Sequence, residues 1–430
     1  MKSYKQMTRE ELQEQYLSLQ SEYTKVKAIA ANLNMARGKP SQAQLDLSRH
    51  MLNVLSSDSD LFSEDGLDCA NYGGLAGIAE ARRFMADVLG TTPEYVILFG
   101  SASLNAMYDA VARAMTNGVL GQTPWAKLDE VKFLCPCPGY DRHFNICEHF
   151  GIDMVPIDMT PEGPDMSTIE KFVAADESIK GIWCVPQYSN PQGYTYSDET
   201  VKRFANLKCA AKDFRIFWDN AYCVHHLYDD PQKQDYVANI LDACNQAGNP
   251  DLVYVFCSTA KITFPGAGIS CMAASKKNID ATLKAISNQT ISHDKLNQLR
   301  HVRFLKDMKG LKKHMSKHAK LLRPKFELLL DIFDEDLTEA EVGTWTKPRG
   351  GYFITYTGYK NTAHRIVELA KDAGVTLTPA GAPFPYCVDQ QDSTLRIAPS
   401  FPSLEELEVA GRVFTLCARL ATLEVLCKSR

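Results

Sequence analysis

From residue 90 onward the chain alternates between two hydrophobic patterns. Short continuous apolar runs at Tyr95–Phe99, Lys132–Cys135, Met154–Ile157, Ile182–Val185, Arg215–Trp218, Leu252–Cys257 and Ile269–Ala273 read as strands buried on both faces. Between them, Ala106–Met115, His143–Phe150, Ser167–Val173, Asp198–Ala211 and Tyr236–Gln246 are helix-compatible. Strand, turn, helix and strand in repetition predict an α/β fold with a largely parallel sheet covered by helices. Upstream, Thr8–Asn34 reads as one long helix, Ala36-Arg37-Gly38-Lys39-Pro40 as a breaker, and Ile78–Leu89 as a helix closed by Gly90. Downstream, Asp294–Phe333 is helical with an interruption near Gly310. A strand starting in Gly350–Ile354, a helix at Ala363–Ala373, a strand at Leu395–Ala398 and a last helix from Ser403 predict a separate α+β unit. Ser403-Leu404-Glu405-Glu406 has the Ser-x-x-Glu pattern of a capping box. The expected partition is an N-terminal helix and segment joining the small domain (1–70), a large domain (71–310) and a small C-terminal domain (311–430).

Composition narrows the partners. With 430 residues, 45% hydrophobic and 23% charged, the chain is an ordinary globular protein. A net charge of −5 argues against nucleic acid. No apolar run reaches the ~20 residues of a membrane span, and the charged N-terminus is no secretory signal. Thirteen cysteines without a Cys-x-x-Cys pair read as reduced, mostly buried thiols of a cytoplasmic protein, with no metal site.

In a parallel sheet, functional residues gather where strands end. Gly100-Ser101-Ala102-Ser103 opens a helix and suits an anion, although such turns are common without one. Pro138-Gly139-Tyr140 presents an aromatic that could stack on a flat ring, Ser189-Asn190-Pro191-Gln192-Gly193 is a turn with an amide, and Asp219-Asn220-Ala221-Tyr222 follows a Phe-Trp strand end. Ser258-Thr259-Ala260-Lys261 places an amine at another strand exit. Each has an ordinary structural reading alone. Together they match what pyridoxal phosphate (PLP) requires: its phosphate, ring, phenolic oxygen, pyridine nitrogen and aldehyde.

Asn190-Pro191-x-Gly193, Asp219-x-x-Tyr222 and Ser258-x-x-Lys261 resemble the signature of fold-type I PLP-dependent aminotransferases. Tyr72-x-x-x-x-Gly77, Pro348-x-Gly350-Gly351-x-Phe353 and Leu395-Arg396-Ile397 are similar to further motifs of that family. In detail, Arg37-Gly38-Lys39-Pro40-Ser41, Asn71-Tyr72-Gly73-Gly74 and Pro138-Gly139-Tyr140-Asp141-Arg142-His143 resemble a divergent bacterial aspartate-aminotransferase subgroup, related to the aminotransferase-like half of MocR-type regulators. The resemblance implies a large domain with a seven-stranded, mostly parallel sheet, a smaller α+β domain, and a homodimer with shared active sites. It implies Lys261 as the Schiff-base lysine, Asp219 on the pyridine nitrogen, and Asn190 and Tyr222 on the phenolic oxygen. Tyr140 would stack on the ring, and Ser101, Ala102, Ser103, Ser258 and a neighbour's Tyr72 would hold the phosphate. Arg396, Asn190 and Gly38 would bind the substrate carboxylate. The implied reaction is ping-pong transfer of an amino group from L-aspartate to 2-oxoglutarate.

The chain departs from the pattern in one place. Pro265-Gly266-Ala267-Gly268-Ile269-Ser270 lacks the arginine that pairs with the phosphate in many relatives. Arg37, Lys39, Arg142, His143 and Arg349 are candidates by position for a distal carboxylate, each with a structural reading beside it. His314 and His318, at i and i+4, read as a solvated helix face rather than a metal pair. His225-His226 reads as a loop beside the site, and the basic run Lys306–Lys325 as an amphipathic helix. A PLP-dependent lyase or aspartate β-decarboxylase, and a non-catalytic sensor domain, are the alternatives on the same scaffold.

Overall fold

The computed structural model describes residues 2–28 and 32–429. Its centre is a sheet of eight strands in the order Val96–Phe99, Ser270–Ala273, Val253–Ser258, Arg215–Asp219, Ile179–Cys184, Lys132–Cys137, Asp153–Thr160 and Gly163–Pro164. The seven expected strands are all present. The eighth, Gly163–Pro164, folds back as a two-residue antiparallel hairpin partner at the edge, too short to leave a hydrophobic signature. Neighbouring strands are parallel except around Ser270–Ala273 and at that edge. The inner strands Ile179–Cys184, Arg215–Asp219 and Val253–Ser258 are buried at every position, because helices cover both faces. One face packs Phe133, Trp183, Phe217 and Phe256; the other packs Leu134, Ile182, Trp218 and Val255.

A second core joins the two ends of the chain. Leu12 and Leu19 of the helix Arg9–Ala28 pack with Phe333, Ile366, Phe414 and Leu420 around a three-stranded antiparallel sheet, Gly343–Trp345, Ile354–Gly358 and Thr394–Ile397. The expected N-terminal helix is shorter than read. It is described as far as Ala28, residues 29–31 lie outside the described residues, and Leu33–Asn34 is extended, pairing in parallel with Val375–Thr376. The polar composition of this stretch hid a strand two residues long.

The helical interruption lies slightly upstream of Gly310. Lys295–Leu305 and Met308–Leu337 are separated by Lys306, at φ 68°, and Asp307, whose carboxylate accepts from Gly310 N at 2.7 Å. Gly310 is in the first turn of the second helix, where a Cβ would meet the Leu305 carbonyl. That second helix runs through residue 310 without a break. Leu311 and Met315 belong to the core beneath the large sheet, and Leu322 onward to the C-terminal core. The last helix, Leu404–Ser429, opens with the expected capping box: Ser403 N donates to Glu406 and Glu406 N to Ser403 Oγ.

Candidate active site

Five strands that point the same way end at one edge of the sheet, so the turns after Phe99, Cys137, Cys184, Asp219 and Ser258 converge there. Asp219 is the last residue of its strand and is 3% exposed. A carboxylate this deep needs partners. Its Oδ2 lies 3.1 Å from His143 Nε2, and its Oδ1 accepts from Ser103 Oγ at 3.5 Å. His143 is itself buried, stacked on Trp183 with ring centroids 4.5 Å apart and planes at 12°. Tyr140 sits one helical turn earlier and meets the same imidazole edge-on at 4.9 Å. His143, one of the candidates by position for a distal carboxylate and with a structural role as its other reading, faces Asp219. The signal was its position three residues after Tyr140, on the same face of Asp141–Phe150.

The lysine turn is fixed from below. Thr259 N donates to Ile269 O, and Ile262 N and Thr263 N both donate to Thr259 O. The Thr259 and Thr263 hydroxyls lie 3.0 and 2.9 Å from His301 Nε2, while His301 Nδ1 donates to Asn297 O at 2.7 Å. His314 Nε2 donates to Ile262 O at 2.8 Å, and His225 Nε2 lies 3.4 Å from Lys261 O. His314 and His318 are 6% and 1% exposed, in contact with each other and with Ser48 and Gln44. The solvated face expected for them is thus wrong: the helix turns these imidazoles inward to satisfy buried polar groups beneath the lysine. Lys261 Nζ stands 4.8 Å from the centre of the Tyr222 ring, with no hydrogen bond to any described residue.

Electrostatics follow from this enclosure. Burial pushes the Tyr140 phenol up to about 12, against the opposing charge of Lys261. Burial raises Tyr222 further, with Asp219 adding to the effect, so both phenols stay protonated donors. Burial, then the charge of Lys261, drives His225 well below the ordinary imidazole range and keeps it neutral.

Ser101, Ala102 and Ser103 open the helix Ser103–Asn117. Ala102 is its N-cap and offers no side-chain cap, which leaves first-turn N–H groups to face an anion. The segment after Lys261 packs directly on this turn: a Cβ at Gly268 would lie 2.6 Å from Ser101 O, and Ser270 Oγ donates to Gly100 O. Ser258 is buried at the strand end beside it.

Arg396 comes from the C-terminal sheet and is 8% exposed. Its Nη1 donates to Asp141 Oδ1 at 2.8 Å and to Asn190 Oδ1 at 3.3 Å. Its guanidinium lies 5.0 Å from the centre of the Phe353 ring, and that ring fills the space where a Cβ at Gly38 would stand. Gly38, Asn190 and Arg396 are thereby brought together. Gly193, at φ 72°, closes the Asn190 turn against Pro348.

Tyr72 stands apart from this cluster, 79% exposed, on a segment whose Asn71 carbonyl accepts from buried Lys295. Arg37 and Arg142 are exposed, Lys39 lies over Phe401, and Arg349 pairs with Asp235 at 3.4 Å. Trp183, Gln44 and His301 were not singled out in the sequence, and Asp141 stood there only within a motif, since each acts through a neighbour far away along the chain.

The family model for aspartate amino-transferase matches residues 7–430. An aspartate aminotransferase of Corynebacterium glutamicum is 41% identical over 407 residues, spanning 94% of this chain and 93% of that protein. A crystal structure of an aspartate transaminase from the same organism superposes with a TM-score of 0.95 at 40% identity, covering 99% of each chain. The α-aminoadipate aminotransferase LysN of Thermus thermophilus, solved with N-(5'-phosphopyridoxyl)-L-leucine, shares the fold at a TM-score of 0.74 and 20% identity, covering 92% of this chain and 93% of its own.

Proposed function

Since the chain belongs to the aspartate amino-transferase family and is an aminotransferase, we propose that it binds pyridoxal 5'-phosphate through Lys261 and transfers the amino group of L-aspartate to 2-oxoglutarate in a ping-pong cycle. The observation that carries this reading is the convergence of a lysine amine, without a hydrogen bond to any described residue, with a buried carboxylate, Asp219, that His143 and Ser103 hold in place. The residues fit the cofactor. A buried acid suits a ring nitrogen, two protonated phenols suit a phenolate oxygen, and an uncapped helix start with three nearby serines suits a phosphate. When bound, the cofactor supplies an aldehyde carbon that accepts the amino group and an electron-withdrawing ring that stabilises negative charge at the substrate α-carbon.

The chain's own residues do the rest. Lys261 would hold the cofactor's aldehyde and supply the amine that moves a proton to and from the substrate α-carbon. Asp219 holds a proton on the ring nitrogen. Tyr222 donates from its O–H, and Asn190 from its amide, to the phenolic oxygen. Tyr140 covers the ring, and Ser101, Ala102, Ser103 and Ser258 anchor the phosphate with the Tyr72 of a second copy. Arg396 takes the substrate carboxylate on its fork, which also orients the α-hydrogen. Gly38 adds a backbone contact to that carboxylate, and the whole works in a homodimer.

The test is reduction of the holoenzyme with borohydride and peptide mapping, with a spectral titration alongside. The pyridoxyl label is expected on Lys261, and the absorption band should bleach with aspartate and return with 2-oxoglutarate. A label elsewhere removes the assignment. Alanine or ammonia as product points to a decarboxylase or lyase on the same scaffold.

A further inference from the structure

Arg396 already holds a carboxylate, and it belongs to the protein. Asp141 Oδ1 accepts from Arg396 Nη1 at 2.8 Å, on the side where Asn190 Oδ1 lies 3.3 Å from the same nitrogen. We propose that Asp141 is an internal competitor for the substrate's α-carboxylate: it occupies Arg396 when the site is empty, must yield when substrate binds, and so sets substrate affinity. The proposal rests on the reading that Arg396 binds that carboxylate.

Three observations favour a competitor over a support. First, the contact uses one nitrogen only. Nε is buried without a partner, and Nη2 makes no hydrogen bond to any described residue. A one-point contact is weaker than the two parallel bonds a free carboxylate can make to a guanidinium. Second, the partners are unequally placed. The Arg396 side chain is 9% exposed and enclosed against Phe353, so it needs an anion; the Asp141 side chain is 29% exposed and can return to water. Asp141 also stands in the first turn of Asp141–Phe150, where the helix dipole favours its charge with or without Arg396. Third, Arg396 does not depend on Asp141 for its direction. It projects from a paired strand, with the Phe353 ring against its guanidinium and Asn190 accepting from its tip.

The physical consequence is a linkage. Removing the Asp141 charge leaves an uncompensated, enclosed cation in the empty site, and any carboxylate ligand then relieves it. Asp141→Asn holoenzyme should show KM values for aspartate and for 2-oxoglutarate about three- to ten-fold lower than the native enzyme, the range of one part-exposed ion pair. Its unfolding temperature without ligand should fall, and saturating maleate, a dead-end dicarboxylate, should raise it by more than in the native enzyme. Asp141→Ser provides the same test if the amide variant folds poorly. KM values that stay the same or rise overturn the proposal, because Asp141 would then be holding Arg396 in place. A change that appears with maleate but not with the monocarboxylate propionate also overturns it, because Asp141 would then oppose a distal group. Arg396→Lys in the same assays tests the underlying reading: if both KM values are unmoved, Arg396 is not the carboxylate site, whatever the Asp141 variants do.

Discussion

The Nε2 of His143 lies 3.1 Å from Oδ2 of Asp219, and the imidazole that makes this contact is clamped flat against Trp183. Asp219 is thus held by an imidazole that is itself buried and stacked on an aromatic ring. Among the described residues, its second oxygen meets only the Ser103 hydroxyl, at 3.5 Å. His143 is a positioning residue for the carboxylate.

His143→Ala is therefore expected to lower activity through its effect on Asp219. A hydrogen bond to a charged group is worth about 1.5–3 kcal/mol, which is roughly ten- to hundred-fold in rate if it is felt wholly in the transition state. His143→Gln, which can return an N–H toward Asp219, should recover part of the loss. Stopped-flow measurement of the half-reaction with aspartate checks this, alongside the absorption spectrum of the bound cofactor. A spectrum and rate unchanged in His143→Ala would remove the residue from this role.

Gly38→Ala tests the floor under Arg396. A Cβ there would stand 2.3 Å from Phe353 Cζ, so the ring that the Arg396 guanidinium faces at 5.0 Å must shift. Overpacking of this kind costs about 1–3 kcal/mol. If Arg396 seats the α-carboxylate of both substrates, the expected kinetic result is a raised KM for both amino and oxo acids. Combining Gly38→Ala with Phe353→Leu should relieve the clash and bring KM back toward the native value. Steady-state kinetics of the two variants decide it.

Much of this site could be read from the sequence because its parts are local. Each turn residue follows its own strand by a few positions, and a strand buried on both faces announces itself as a continuous apolar run, as Arg215–Trp218 does before Asp219. The two short strands at Leu33–Asn34 and Gly163–Pro164 could not be seen, because two residues carry no periodicity. The histidines show the other limit. His314 and His318 lie on a helix rich in lysine, and i, i+4 spacing fixes only that they share a face, not whether that face is buried. Only the packing of the helix beneath Ile262 decides that. Asp141 stood in a motif, but its contact could not be read for the same reason: its partner is 255 residues away.

These buried imidazoles make a prediction about acid. Burial holds His301 and His226 down at about 4 and His318 at about 3, against an ordinary value near 6.5. A group with a depressed folded value binds fewer protons folded than unfolded, so stability rises with pH across the gap. The contribution is fully present above about 6.5 and is lost as pH falls through 4. The unfolding temperature should accordingly drop between pH 6.5 and 4, and the drop should shrink in His318→Gln. Scanning calorimetry of both proteins across that range is the check; equal slopes would mean that His318 does not titrate on unfolding.

Tyr72 offers a test of the shared site. It is 79% exposed, yet Lys295, itself 3% exposed, donates to the carbonyl of Asn71 and holds the segment in place. An ordered aromatic presented to solvent suits insertion into a second copy. If Tyr72 completes the neighbour's cofactor site, Lys261→Ala and Tyr72→Ala subunits should each be weak alone. Mixed, they should form dimers with one native site, built from Lys261 of one subunit and Tyr72 of the other. Random reassortment makes half of the dimers mixed, so recovery should approach about one quarter of native activity. If Tyr72 served its own subunit, every mixed dimer would carry two damaged sites, and mixing would restore nothing.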